Sequence, residues 1–212
     1  MSYTIPTDEH VLVCGMTGSG KSFFAEAYLA NYEYVIKLDI KGEYFERKRA
    51  KKSAWRGLVE GEDYVMVEHL ADLPYCTTPK IIYCPDFDEQ NEEFYDEFFK
   101  FCYMRENTII WIDELMSVGT SSSCPRWLGY CMTRGRSKNV GVWSCTQRPS
   151  GIPSLVTANC KHFVVFDLSL DIDRKKLVEI TGCDEMRENP ELQYTFRYYK
   201  HGMKQSAWAV LK

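Results

Sequence analysis

Residues 15–22 read GMTGSGKS, with two glycines flanking four residues and a lysine and a serine directly after. The apolar run HVLVC (10–14) precedes them and FFAEAYLA (23–30) follows. Glycine lets a backbone take positive φ and approach a ligand closely. The free N–H groups that open a helix, at the positive end of its dipole, bind anions. The spacing is that of a phosphate-cradling loop, G-x-x-x-x-G-K-[ST]. The nucleotide-binding candidates are therefore Gly15, Met16, Thr17, Gly18, Ser19, Gly20, Lys21, Ser22 and Phe23. Lys21 would reach the β- and γ-phosphates of ATP, and the Ser22 hydroxyl would ligate Mg²⁺.

A second group is TIIWIDE (108–114), an apolar strand that ends in two carboxylates. Asp113 at the strand's carboxyl end, where open α/β sheets bind ligands, would hold Mg²⁺ beside Ser22. Glu114 next to it would orient and polarise the attacking water. A solvated acidic turn after a strand has the same local pattern. The third group is VGVWSCTQRP (140–149), which puts Gln147 at a strand tip where its amide would sense the γ-phosphate or the water. TRGRSKN (133–139) precedes that strand. Arg134 or Arg136, supplied to a neighbour's γ-phosphate, would be worth roughly 10³–10⁵ in rate, or about 4–7 kcal/mol. A solvated turn is the plain alternative for either arginine.

These groups need a scaffold. Strand-like runs recur at 11–14, 34–39, 64–69, 80–85, 108–113, 140–147 and 162–168. Helices are expected over 22–31, 88–106, 125–137 and 171–181. Within 88–106 the aromatics at 94, 95, 98, 99 and 101 read as a core stripe. Ser169 or Asp171 is the expected cap of the last helix, and Gly182 its end. Near-continuous apolar strands alternating with helices imply an α/β fold with a largely parallel sheet flanked by helices. The tail, about 191–212, reads as two antiparallel strands around a His-Gly turn. One P-loop domain over 1–212 is expected, with 45% apolar residues to fill its core.

The net charge of −4 carries no global signature of nucleic-acid binding, so DNA contacts must be local. Nine cysteines without a C-x-x-C pair read as reduced, packed thiols in a cytosolic setting. No apolar run approaches 18 residues, and the N-terminus lacks the pattern of a signal peptide. The stretch 41–56 holds seven basic residues against two acids. It is either a solvated charged helix or loop, or a surface that tracks DNA phosphates through Arg47, Lys48, Arg49, Lys51 and Lys52. The Ser-rich loop 117–124 is a second candidate contact. Neither reads sequence; duplex DNA held by its backbone is the expectation.

GMTGSGKS, IIWIDE and RGRSKNVGVWSCTQRP together resemble the FtsK–HerA superfamily of DNA-pumping ATPases. KLDIKGEY (37–44) is similar to that family's D-x-K-G-E segment, and the resemblance covers most of residues 10–182. It implies a RecA/FtsK-like P-loop fold, ATP with Mg²⁺, and a homo-oligomeric ring, hexamer or pentamer, with ATP between subunits. It also implies catalysis by Lys21, Glu114 and Gln147, with Arg136 as a finger acting in trans and Arg134 as second choice. The compact chain looks most like genome-packaging ATPases of tailless, internal-membrane viruses. That implies double-stranded DNA and capsid-vertex or membrane-associated viral proteins as partners, in the infected host's cytoplasm or at a virion vertex. Two alternatives remain. One is a conjugation or filament-extrusion ATPase of the same superfamily. The other is a nucleotide switch or small-molecule kinase, for which neither an N-K-x-D motif nor a lid is evident.

Overall fold

Alternation within the strands sorts their side chains onto two faces, and both faces are covered. In the computed structural model, which describes residues 4–211, five strands are buried at every position. They are β1 (Val11–Cys14), β2 (Val35–Leu38), β5 (Ile109–Ile112), β6 (Gly141–Thr146) and β7 (His162–Val165). β3 (Tyr64–Val67) and β4 (Lys80–Tyr83) continue the sheet on one side. β8 (Thr195–Lys200) and β9 (Ala207–Val210) continue it on the other. Leu12, Cys14, Ile36, Leu38, Ile110 and Ile112 point to one side, against Phe98 and Phe99 of α3 (Glu92–Arg105) and Leu128 of α4 (Arg126–Arg134). Val11, Val13, Val35, Trp111 and Trp143 point to the other, against Ala25 and Leu29 of α1 (Lys21–Leu29) and Tyr44 of α2 (Glu43–Arg49). Each large apolar side chain so buried contributes about 1.5–3 kcal/mol.

The nine strands run in the order β3-β4-β2-β5-β6-β1-β7-β8-β9. The first seven in that order are parallel, and β7-β8 and β8-β9 pair antiparallel. This is the largely parallel, helix-flanked α/β sheet read from the sequence, with its antiparallel hairpin at the expected His-Gly turn. Gly202 has φ 95° there. Residues 1–3 and 212 of the expected domain lie outside the described residues.

Some boundaries differ. α3 starts at Glu92 because the Asn91 side chain accepts from the N–H groups of Glu93 and Phe94; residues 87–89 form a separate 3₁₀ turn. α4 stops at Arg134 and a 3₁₀ turn, Gly135–Lys138, leads to β6. α6 (Asp171–Thr181) does end at Gly182, φ 67°, but neither Ser169 nor Asp171 caps it. Leu170 holds the cap position, and the Asp171 carboxylate is taken by Lys175, Arg174 and Arg187. α5 (Ser154–Asn159) is too short for a periodicity to announce it. The aromatic stripe of α3 is core: Tyr95, Phe98 and Phe99 are buried. All nine cysteines are free thiols and seven are buried. Among the described residues no helix is long and apolar enough to cross a membrane.

Candidate nucleotide site

The glycine-rich loop leaves β1 and is tied to strands on both sides. The Gly15 N–H donates to the Thr146 carbonyl (3.1 Å) and the Met16 N–H to the Asp167 carbonyl (2.8 Å). Gly18 and Gly20 hold φ of 78° and 108°, values that L side chains rarely adopt. A Cβ at Gly15 would stand 2.6 Å from Ser19 Oγ and 2.7 Å from Phe166 Cβ. The loop then opens α1. Lys21 is buried, and its Nζ reaches back across the loop to the Met16 carbonyl at 3.0 Å. Burial pulls this ammonium below the ordinary lysine range, against the fields of Cys145, Glu114 and Asp113. Ser19 Oγ is buried with no hydrogen-bond partner.

Asp113 closes β5, and the nearby Ser22 hydroxyl favours its charged form. Burial raises its pKa; Lys37 opposes the rise and Glu43 adds to it. Its Oδ1 is buried and unpartnered. A buried carboxylate with an open oxygen beside a hydroxyl supplies the hard oxygen donors that Mg²⁺ takes. The residues therefore fit the metal assigned to them.

Glu114 and Gln147 meet because β6 lies between β1 and β5 in the sheet. Gln147 Nε2 donates to Glu114 Oε2 at 3.0 Å, and Thr17 Oγ1 donates to Gln147 Oε1 at 2.9 Å. One amide thus joins the glycine-rich loop to the acidic strand. Lys41 Nζ, 2.8 Å away, donates to the same Glu114 oxygen.

Two adjoining clefts flank the loop. One, of about 320 Å³, lies between Met16–Ser19 and residues 190–195. The other, of about 370 Å³, is lined by Gly20, Phe23, Arg56, Tyr194 and Leu211. The Arg56 guanidinium sits 4.4 Å over the Phe23 ring. Sequence reading reached Phe23 through its motif. Arg56 and Tyr194 join it only through folding, and no local signal marks them. Lys41 was legible only as part of KLDIKGEY.

Arg136 is elsewhere. It precedes β6 whereas Gln147 follows it, so the strand, roughly 20 Å long, separates it from the loop of its own chain. Its side chain is 89% exposed and pairs loosely with Asp8 at 3.4 Å. Arg134 is exposed as well and lies over the Tyr130 ring.

The basic stretch divides. Arg47 is not a free DNA contact: it forks onto Glu26 (2.7 and 2.9 Å) and Glu43 (2.8 and 3.1 Å). Glu26 is 1% exposed, so desolvation demands this partner. Lys48 pairs with Glu60, while Arg49, Lys51 and Lys52 are exposed. The loop 117–124 is an ordered turn with Val118 and Gly119 buried and 120–123 exposed. The Ser121 N–H donates to the Gly151 carbonyl, which ties the turn to the segment after Gln147.

No family model matches the chain, and no curated protein does. Solved structures do. The genome packaging NTPase B204 of Sulfolobus turreted icosahedral virus 2, in complex with AMPPCP, matches with TM-score 0.77 at 14% identity. The match covers 97% of this chain and 99% of that one. The chain has the fold of a P-loop NTPase. The conjugation coupling protein TcpA of pCW3, with ATPgS, shares this P-loop fold at TM-score 0.60 and 14% identity, over 95% of this chain and 59% of its own. The cytoplasmic domain of the Thermomonospora curvata type VII secretion ATPase EccC does so at TM-score 0.60 and 12% identity, over 96% and 25%. The fold expected from the FtsK–HerA resemblance is the fold found. In this chain Gln147 bridges the glycine-rich loop, through Thr17, to Glu114 beside Asp113.

Proposed function

We propose that the chain is an ATP-driven double-stranded DNA translocase that packages a viral genome, working as a ring of five or six subunits with ATP at the interfaces. The observation that carries this is the chain of hydrogen bonds Thr17–Gln147–Glu114, with the buried Asp113 next in sequence to Glu114 and its Oδ1 unpartnered. On this reading Gln147 is the γ-phosphate sensor, Glu114 the base and Asp113 the metal-binding carboxylate, and their closeness to the loop at 15–22 supports it. The loop N–H groups and Lys21 would hold the triphosphate. The base and ribose would lie in the cleft of Phe23, Arg56 and Tyr194, where a purine can stack on aromatic and guanidinium planes. Ser22 and Asp113 would hold Mg²⁺, which supplies charge neutralisation to the phosphates. Glu114 would accept the proton of the attacking water.

The position of Arg136 supports action in trans. It stands exposed at the far rim from its own loop, so only a neighbour's triphosphate is within its reach. Head-to-tail contacts that close make rings. Arg49, Lys51 and Lys52, rather than Arg47, are the basic side chains open to duplex phosphates, together with the turn at 120–123. The structural likeness is stronger to B204, at TM-score 0.77, than to TcpA and EccC, at 0.60 each, which favours packaging over conjugation or secretion. A capsid vertex or membrane-associated viral protein, met in the host cytoplasm, is the corresponding partner.

The test combines two measurements. ATP hydrolysis should be stimulated by duplex DNA and lose that stimulation in the triple variant Arg49→Ala, Lys51→Ala, Lys52→Ala. Subunits carrying Arg136→Ala mixed with subunits carrying Glu114→Ala should recover part of the hydrolysis that each lacks alone. Absence of recovery at every ratio counts against a finger in trans, and hydrolysis indifferent to DNA counts against a motor.

A further inference from the structure

Lys41 sits in the turn between β2 and α2, and this turn is held rigidly. Asp39, fully buried, accepts from the N–H groups of Glu43 (3.1 Å) and Tyr44 (2.7 Å), which fixes the start of α2. Gly42 turns the chain with φ 68°. β2 pairs with β5, so the turn lies beside the end of the acidic strand. From there Lys41 Nζ donates to Glu114 Oε2 at 2.8 Å. Gln147 Nε2 donates to the same oxygen from β6, on the other side of β5. Among the described residues no hydrogen bond reaches Glu114 Oε1. The Lys41 side chain is 49% exposed, whereas that of Glu114 is 9% exposed. An exposed lysine gains little from an ion pair for its own sake. The consequence lies with the carboxylate: two donors on one oxygen leave it a single orientation and a single open oxygen.

We propose that Lys41 is a positioning residue for ATP hydrolysis, which with Gln147 clamps Oε2 of Glu114 and presents Oε1 to the attacking water. This rests on the reading of Glu114 as the base. As the water oxygen bonds to the γ-phosphorus, the bond to the leaving oxygen of ADP breaks and ADP keeps the electron pair. The water's proton passes to Oε1 and then to the released phosphate. A base free to rotate about its side-chain torsions would meet the water in fewer encounters, and misplacement by about 1 Å can cost 10²-fold.

The experiment compares Lys41→Met, which keeps most of the stem without the charge, with Lys41→Arg, in the full chain. Lys41→Met should lower kcat about tenfold to a hundredfold, with KM for ATP and affinity for AMPPCP unchanged. Lys41→Arg should restore part of the rate. In a Glu114→Gln background Lys41→Met should change the residual rate less than twofold, because residues acting as one unit are not additive. A kcat that is unchanged or raised by Lys41→Met overturns the proposal. So does a rise in KM alone, or the same loss in the Glu114→Gln background as in the wild type. Glu114→Gln by itself separates the two levels: if it leaves hydrolysis intact, the parent reading of the site fails instead. Thermal melting of each variant shows that the chain is folded.

Discussion

Glu9 and Glu114 are carboxylates at opposite rims of the same parallel sheet, and their surroundings differ. Glu9, before β1, is met by Lys161, His162 and Lys200. Burial raises its pKa, but the hydrogen bonds and charges of Lys161 and His162 overcome it and hold the group at about 2. His162 is satisfied on both ring nitrogens, by Glu9 and by the Tyr198 hydroxyl. His10 bonds the Met132 carbonyl through Nε2 and receives the Val142 N–H at Nδ1. At the other rim Glu114 shares one oxygen between one ammonium and one amide, and its neighbours include the unpartnered Asp113 Oδ1 and Ser19 Oγ. Buried polar groups are normally paired, so these open oxygens are free to take a ligand. At the N-terminal rim Glu9, His10 and His162 spend their polar atoms on holding the sheet. At the C-terminal rim Asp113 Oδ1 and Ser19 Oγ stay open, and on the proposed reading they serve the nucleotide and its metal.

Substitutions at each rim should therefore separate catalysis from stability. Glu114→Gln should lower ATP hydrolysis by about 10²–10⁴-fold, equivalent to roughly 3–5 kcal/mol of barrier. Its melting temperature should stay within a few degrees of wild type. A large fall in melting temperature instead would make this rim structural like the other.

Glu9→Gln should do the reverse. Denaturant unfolding at pH 7 should show a loss of roughly 1–3 kcal/mol, from hydrogen bonds to charged groups. The kcat per folded molecule should not change.

Acidification tests the same rim without mutation. Glu9 has a folded pKa below its ordinary 4.5, so its stabilisation is complete above about 4.5 and is lost as pH falls toward about 2. His10 is lowered by burial from 6.5 to about 4, so the unfolded chain takes up its proton first and stability falls between pH 6.5 and 4. Unfolding free energies measured across this range should decline in both windows. Glu9→Gln should flatten the lower window and, because Glu9 holds up the pKa of the buried His162, steepen the upper one.

Thr17→Val is the mildest change. It removes one neutral hydrogen bond to Gln147 and should lower kcat about two- to tenfold, as expected for roughly 0.5–1.5 kcal/mol. A null effect in steady-state assays would leave the loop and the amide uncoupled.

Arg47 shows where local reading stops. In sequence it belongs to a basic run and resembles Arg49, Lys51 and Lys52. Its fate is decided by Glu26, 21 positions away on α1, whose burial demands a cation. The same limit applies to Tyr194 and Arg56, which reach the cleft beside Phe23 from separate segments. Lys21, Ser22 and Asp113 were legible because strand, turn and helix around each are short-range patterns. α5 was not, since six residues make fewer than two turns.

The amino-acid sequence by itself determined the glycine-rich turn after β1, the acidic end of β5, the amide end of β6 and the alternation that buries the strands on two sides. Those properties come from steric freedom and polarity within a few residues. The order of the strands did not follow from it. Only the packed sheet set β6 between β1 and β5, because pairing is chosen by how the two faces fill with helices. That choice brought Thr17, Gln147, Glu114 and Lys41 within hydrogen-bond reach, and it left Arg136 on the opposite rim.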